Sequence, residues 1–180
     1  MKRSQLIALL NKYNPLFDEE IAAKKRMLSF IDCNVDCFER SLEIGHITAS
    51  SWLLSKDGSA ALLMHHAKLN VWCQLGGHCD GDSDVLAVAI KEAQEESGIT
   101  AIAPIDTDIF DIDIHLIPAN SREKEHYHYD VRFLLQVISD EEFVQNEESK
   151  ELRWIEKTAD ALPTKERSVT RMFDKWIARK

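Results

Sequence analysis

Long hydrophobic runs are missing from this 180-residue sequence. A membrane-spanning helix needs about 20 consecutive apolar residues, and runs such as residues 6–10 are far shorter. Basic residues are also few, since 22 lysines and arginines face 31 aspartates and glutamates, for a formal net charge of −9. Proteins that bind nucleic-acid polymers need a basic surface that displaces counterions. We therefore expect a cytoplasmic protein whose partner is neither a membrane nor a nucleic-acid polymer.

Cysteine is scarce as well, with four residues, and nothing in the sequence points to secretion. Reduced thiols are therefore expected. Cys33 and Cys37 have the spacing of half a zinc site, but no second pair completes it. The glycine patterns of dinucleotide-binding folds and P-loops are absent, and so is the serine elbow of acyl hydrolases. A dehydrogenase, a kinase or an acyl hydrolase would lack its usual sequence signals.

The hydrophobic pattern predicts an α/β (α+β) fold in which a mixed sheet packs between helices. Two helices are predicted at the N-terminus, the second capped by Asp18 and burying Ile21, Met27, Leu28 and Ile31. Further helices are predicted at residues 84–98 and near the C-terminus. Strands are predicted at residues 46–54, 60–66, 110–116, 131–137 and 151–155. Residues 140–151 contain six acidic side chains and are expected to form an exposed loop.

The chemically informative segment is a glycine-rich loop that leads directly into an acidic helix. The loop contains Gly76, Gly77 and Gly81, and the helix carries Glu92, Glu95 and Glu96. These three carboxylates fall within roughly a 100° arc of the helix surface, where they repel one another. Clustered glutamates are usually a solvated helix face. The adjoining loop, whose backbone turns sharply, instead favours a site for a hard divalent cation and phosphate.

This segment resembles the Nudix box, G-x5-E-x7-R-E-U-x-E-E-x-G-U, where U is aliphatic. The match begins at Gly77 and ends at Ile99, with the three glutamates and Gly98 in register. Ser83 stands where the family has its first glutamate, and the aspartates on either side of it are candidates to replace that group. Lys91 stands in the place of the arginine, which keeps the charge but loses the bidentate fork.

The resemblance implies a Nudix-like α/β/α sandwich, and the hydrophobic pattern adds an N-terminal helical extension. We expect one domain over residues 1–180, with the extension at residues 1–40 and the catalytic core at residues 44–180. The implied activity is that of a hydrolase, dependent on Mg²⁺ or Mn²⁺, which cleaves a diphosphate linkage in a small nucleoside-diphosphate-type substrate. The implied metal ligands are Glu92, Glu95 and Glu96, joined in the catalytic set by Lys91 and in the loop by Gly76 and Gly77. The general base is expected either in the box or in a later loop, where Glu147 and Glu148 are candidates.

Four histidines form a second group of candidate ligands: His46, His78, His126 and His128. The last two are two residues apart and would share one face of a strand. Each histidine alone is more often a surface or capping residue. Their layout, however, resembles that of isopentenyl diphosphate isomerase, a Nudix-superfamily enzyme, with two histidines in place of two acids. That resemblance implies a second metal site suited to Mn²⁺, Fe²⁺ or Zn²⁺. The isomerase has its catalytic cysteine where this chain has Gly76.

Three functions therefore stay open: the hydrolase, an isomerase acting on an allylic diphosphate, and a ligand-binding protein weakened in turnover by Ser83 and Lys91. Arg40, Lys68 and Arg132 are candidate contacts for phosphate. The N-terminal helices would cover the sheet, form a homodimer or cap the substrate pocket, and the sequence does not choose among these roles.

Overall fold

The computed structural model describes residues 2–119 and 124–179. Its helices are α1 (Lys2–Lys12), α2 (Asp18–Cys33), α3 (Val85–Ser97) and α4 (Arg167–Ala178), with a 3₁₀ turn at Ala159–Ala161. Its strands are β1 (Gly45–Leu54), β2 (Ala60–His66), β3 (Trp72–Cys73), β4 (Leu75–His78), β5 (Ile102–Pro104), β6 (Asp111–Ile117), β7 (His126–Val137) and β8 (Ser149–Glu156). Every predicted helix and strand is present, and within the described residues no helix is both long and apolar enough to cross a bilayer.

The eight strands form one mixed sheet, as predicted. Its central pair, β1 and β7, is parallel over ten residues, from Gly45 opposite Tyr127 to Leu54 opposite Gln136. The strand order is β3-β2-β1-β7-β5, while β4 also pairs with β1, β6 with β7 and β8 with β2. The long parallel pair fixes the register of the N-terminal half of β7. The apolar pattern alone had predicted that strand only from residue 131.

Side chains alternate across β1 and β7, so the two faces of the sheet meet different helices. Ile47, Val131 and Phe133 belong to a large core with residues of α1, α2 and α3. Trp52 and Leu134 belong to a second core against α4. The arrangement is the α/β/α sandwich expected from the sequence.

Helix α2 differs from the prediction in two details. Asp18 is the first helical residue and Phe17 is the cap position, where the Phe17 N–H donates to Glu20 Oε2 at 3.0 Å. Ile21 is 57% exposed. Met27 and Ile31 are fully buried as predicted, and the helix is turned so that Glu20 continues their stripe and Ile21 lies about 100° away from it.

The ends of α3 follow the sequence signals. The Asp84 carboxylate accepts a hydrogen bond from the Ala87 N–H at 3.1 Å, which satisfies a free donor of the first turn. Gly98 ends the helix in the left-handed conformation, at φ 72°. The helix of the box therefore lies between a local start signal and a local stop signal, which hold its glutamates at defined positions.

Candidate active site

The candidate active site is built where β4 packs against α3. The backbone N–H of Gly76 donates to Glu96 Oε2 at 2.7 Å. At Gly77 a Cβ atom would lie only 2.6 Å from the Cδ atom of Glu92 and closer still to its Oε2. A side chain at position 77 would therefore displace the Glu92 carboxylate, which fills the space that a Cβ atom would need.

Burial changes the acidity of the helix glutamates. Glu96 is 4% exposed, and desolvation raises its pKa to about 8, against the effect of the Gly76 hydrogen bond. Desolvation also raises the pKa of Glu92, while the charge of Lys91 lowers it. Lys91 Nζ lies 3.5 Å from a carboxylate oxygen of Glu92 and 3.5 Å from one of Glu95. The exposed Lys91 thus bridges Glu92 and Glu95. Glu96 has no cation among its main electrostatic partners.

The acidic loop before β8 lies against the C-terminal end of α3. The Val144 N–H donates to the Ser97 carbonyl at 2.7 Å, and Asn146 Nδ2 donates to the Glu95 carbonyl at 3.2 Å. The negative charge of Glu148 raises the pKa of both Glu92 and Glu96. Of the two candidate bases in this loop, Glu148 is thus among the main charges that act on the box glutamates.

The residues around Ser83 have other partners. Asp84 caps α3, and Asp82 Oδ1 accepts from the Asp84 N–H at 3.0 Å. Both aspartates are therefore used in starting the helix. Neither makes a contact that would replace the family's first glutamate within the described structure.

The four histidines converge on one face of the sheet. His46 on β1 is directly opposite His128 on β7, and His78 on β4 is opposite Thr48, two residues along β1. Ring centroids are 5.0 Å apart for His46 and His78, 4.9 Å for His46 and His128, and 4.9 Å for His78 and His128. Desolvation and the neighbouring imidazoles lower the pKa of His46 to about 4 and that of His128 to about 2. Burial and mutual repulsion of the rings therefore disfavour the charged forms of His46 and His128.

A buried polar network that sequence reasoning missed continues along the same face. Asp130 accepts hydrogen bonds from Thr48 Oγ1 at 3.0 Å, Ser50 Oγ at 2.7 Å, Gln74 Nε2 at 3.1 Å and Arg132 Nε at 2.7 Å. The alternation of polar residues at positions 126, 128, 130 and 132 was the available signal. It indicates a strand with one polar face.

Arg132 is not the surface phosphate contact predicted from the sequence. It is 1% exposed and belongs to a buried ion cluster of Asp111, Asp113, Arg132, Arg171 and Lys175. Burial alone raises the pKa of Asp111, but the hydrogen bond from Arg171 and the charges of the three cations outweigh it and lower that pKa. Of the other two candidates, Arg40 pairs with Asp80 through two contacts of 3.0 Å, and Lys68 is exposed.

A family model for the NUDIX domain matches residues 45–176. The chain belongs to the Nudix family. Membership supports the prediction of a pyrophosphohydrolase, whereas no curated protein matches the sequence.

Solved structures of Nudix proteins share the fold at low sequence identity. An Ap4A hydrolase of C. elegans superposes with a TM-score of 0.57 at 18% identity, over 72% of this chain and 93% of that chain. The dihydroneopterin triphosphate pyrophosphohydrolase of E. coli gives a TM-score of 0.55 at 14% identity, over 73% and 94%. A MutT NUDIX hydrolase from Burkholderia pseudomallei gives 0.55 at 20% identity, over 73% and 97%.

Proposed function

We propose that this protein is a divalent-metal-dependent Nudix hydrolase that cleaves a diphosphate linkage in a small nucleoside-diphosphate-type substrate. The observation that carries the proposal is the contact between β4 and α3. Gly76 donates its N–H to Glu96, and Gly77 leaves room for the Glu92 carboxylate. One carboxylate of the box is thus held by the β4 backbone, and a second lies in the space beside Gly77. The φ of Gly77 is not left-handed, so the backbone conformation itself does not call for glycine there.

The donor set fits Mg²⁺ or Mn²⁺. Glu92, Glu95 and Glu96 offer carboxylate oxygens, the ligands that hard divalent cations prefer. The raised pKa of Glu96 supports this fit, because it reflects a buried carboxylate among like charges that lacks a paired cation. These three residues would hold the ion, with the Gly76 or Gly77 carbonyl as a further ligand. When bound, the ion polarises the phosphoryl oxygens and lowers the pKa of the attacking water.

Two further side chains have roles in this proposal. Lys91 holds Glu92 and Glu95 in place through its two contacts of 3.5 Å. We assign the general base, which takes the proton of the attacking water, to Glu148, because it lies near enough to the box for its charge to raise the pKa of Glu92 and Glu96. Glu148→Gln is expected to lower kcat by about 10²–10⁴-fold, while the matched variant Glu147→Gln keeps the activity. Equal effects of the two variants would contradict the assignment of the base.

The activity is tested with a substrate panel and a box variant. Purified protein is incubated with nucleoside triphosphates, dinucleoside polyphosphates, ADP-ribose, NADH, CoA and sugar nucleotides, with Mg²⁺ or Mn²⁺. We expect turnover that requires metal and is lost in the Glu95→Gln, Glu96→Gln variant. A folded wild type that turns over none of these compounds, with or without metal, would refute the proposal.

The second candidate is a Nudix-fold ligand-binding protein, and one observation favours it. Ser83 replaces an acid, and the neighbouring Asp82 and Asp84 have backbone partners instead of substituting for it. Binding of a panel compound without turnover would support this candidate. The isomerase has less support, because at Gly76 a Cβ atom would lie 2.5 Å from Ser50 Cα and 2.7 Å from the Ala49 carbonyl oxygen, so no cysteine fits. The cytoplasmic location, the homodimer and the absence of nucleic-acid and membrane partners stay predictions.

A further inference from the structure

The histidine cluster contains a buried side chain whose polar atoms have no partner. His46 is 2% exposed, and neither of its ring nitrogens makes a hydrogen bond of normal geometry within the described part of the chain. Leaving a polar group buried and unpaired is destabilising. The ring is surrounded by three other imidazoles, with centroids 4.9–5.0 Å away. Such an arrangement requires a reason, and a ligand shared by the rings supplies one.

The nitrogens of the cluster have the separation that a common ion requires. One ring nitrogen from each of His46, His78 and His128 lies within 4.8 Å of the other two. Nitrogen ligands about 2.0–2.1 Å from a tetrahedral ion are roughly 3.4 Å apart. Ring rotations that move each nitrogen by about one ångström therefore close the set around one ion.

His126 is oriented toward the same point. Its Nδ1 lies 2.7 Å from the Lys124 carbonyl oxygen, so Nδ1 carries the proton and Nε2 is left with a free lone pair. That Nε2 lies 3.3 Å from Nε2 of His128, the spacing of two ligands on one tetrahedral ion. A backbone carbonyl that fixes the tautomer is the usual support of a metal-binding histidine. His126 is thus a candidate fourth ligand beside His128, next to the three rings whose nitrogens lie within 4.8 Å of one another.

We propose that His46, His78, His126 and His128 bind one transition-metal dication, with Zn²⁺ as the ion that four imidazoles in this arrangement favour. Imidazole nitrogen suits Zn²⁺, Cu²⁺, Fe²⁺ and Ni²⁺, whereas Mg²⁺ takes oxygen ligands. The site is distinct from the carboxylate site in ligand chemistry and in the residues that form it.

The two sites are joined through β4. His78 directly follows Gly77, whose missing side chain accommodates Glu92, and Gly76 holds Glu96. An ion on His78 ties the end of this strand to β1 and β7 and so fixes the backbone that the two glutamates contact. The role that we assign to the histidine ion is to position the end of β4.

The test uses protein stripped of metal with a chelator and then titrated with Zn²⁺ alone. A chromophoric chelator competes for the ion, and Co²⁺ absorption reports its coordination. We expect one equivalent to bind to the wild type, with the affinity reduced in His78→Ala, His128→Ala by more than the roughly 10–100-fold that loss of a mere supporting hydrogen bond costs. His65→Ala, His66→Ala removes two histidines on β2 outside the cluster and is the matched control, expected to bind as the wild type does.

Three results would overturn the proposal: no binding of Zn²⁺ by the wild type, binding that persists unchanged in the cluster variant, or equal loss in the control. X-ray absorption of the Zn²⁺-loaded wild type covers the case in which the cluster variant does not fold, since imidazole scattering is expected and a carboxylate shell would contradict the site. Zn²⁺ binding should survive in the Glu95→Gln, Glu96→Gln variant. The result is therefore independent of whether the proposed hydrolase activity is found.

Discussion

Replacing Gly77 by alanine adds one methyl group where the Glu92 carboxylate lies. The new Cβ would lie 2.6 Å from Glu92 Cδ, so that carboxylate must retreat by about 1 Å to reach an ordinary contact distance. The obstacle is the end of a flexible side chain, and a shift of its torsions costs about 0.5–1.5 kcal/mol. Replacing glycine also gains about 0.4–1 kcal/mol by restricting the unfolded chain. We therefore expect the free energy of unfolding to change by less than about 1 kcal/mol.

The same displacement should strongly reduce function. A misplacement of about 1 Å at a catalytic group costs on the order of 10²-fold in rate. We expect Gly77→Ala to lower kcat/KM by about 10²-fold on a substrate found in the panel, and to weaken Mn²⁺ binding measured by electron paramagnetic resonance. Chemical denaturation of the same preparation measures its stability.

Gly76→Ala is the control, because there the obstacle is backbone. A Cβ at position 76 would lie 2.5 Å from Ser50 Cα and 2.7 Å from the Ala49 carbonyl oxygen, atoms of the central strand β1. We expect a loss of at least about 1–3 kcal/mol in the free energy of unfolding. The reasoning is refuted if Gly77→Ala binds Mn²⁺ and turns over as the wild type does, or if Gly76→Ala is as stable as the wild type.

Three further predictions concern stability. Asp111→Asn should lower the free energy of unfolding by about 3–5 kcal/mol, because it removes a carboxylate that Arg132, Arg171 and Lys175 share and leaves these buried cations with less negative charge around them. Asp108→Asn, in an exposed ion pair, should change it by at most about 1 kcal/mol. Equal effects of the two variants in urea titrations would contradict this. Because the pKa of Asp111 is lower in the folded state than in the unfolded chain, its stabilising contribution should be complete above about pH 4 and fall as the pH drops further. Denaturation midpoints measured from pH 7 to pH 3 test it, and a flat profile would be evidence against it. If the helices at residues 1–40 form one domain with the core, Leu10→Ala should lower the free energy of unfolding by about 2–5 kcal/mol, because Leu10 is fully buried. Leu16→Ala, at a 70% exposed position, should leave the free energy of unfolding within about 0.5 kcal/mol of the wild-type value.

Helix α3 was predictable from the sequence because the signals that define it are all local. The positions of Glu92, Glu95 and Glu96 on one face follow from helical geometry. The cap at Asp84 and the stop at Gly98 are short-range signals, and both act at the predicted positions. Nothing in this spacing indicated that Glu96 would be buried and Glu95 exposed, since that depends on how closely β4 approaches.

The histidine cluster and the buried ion network depend on pairing between segments that are far apart in the chain. That His126 and His128 share a face follows from the strand period alone, but their meeting with His46 depends on a parallel pair that joins residues 82 positions apart in the chain. The burial of Arg132, a candidate phosphate contact in the sequence, was not predictable because its three carboxylate partners and α4 come together only in the folded sheet. By itself, then, the sequence determined which residues can act together within one helix or strand. Only the tertiary structure decided which of those groups meet and which are buried, because these outcomes depend on strand register and helix packing between distant segments.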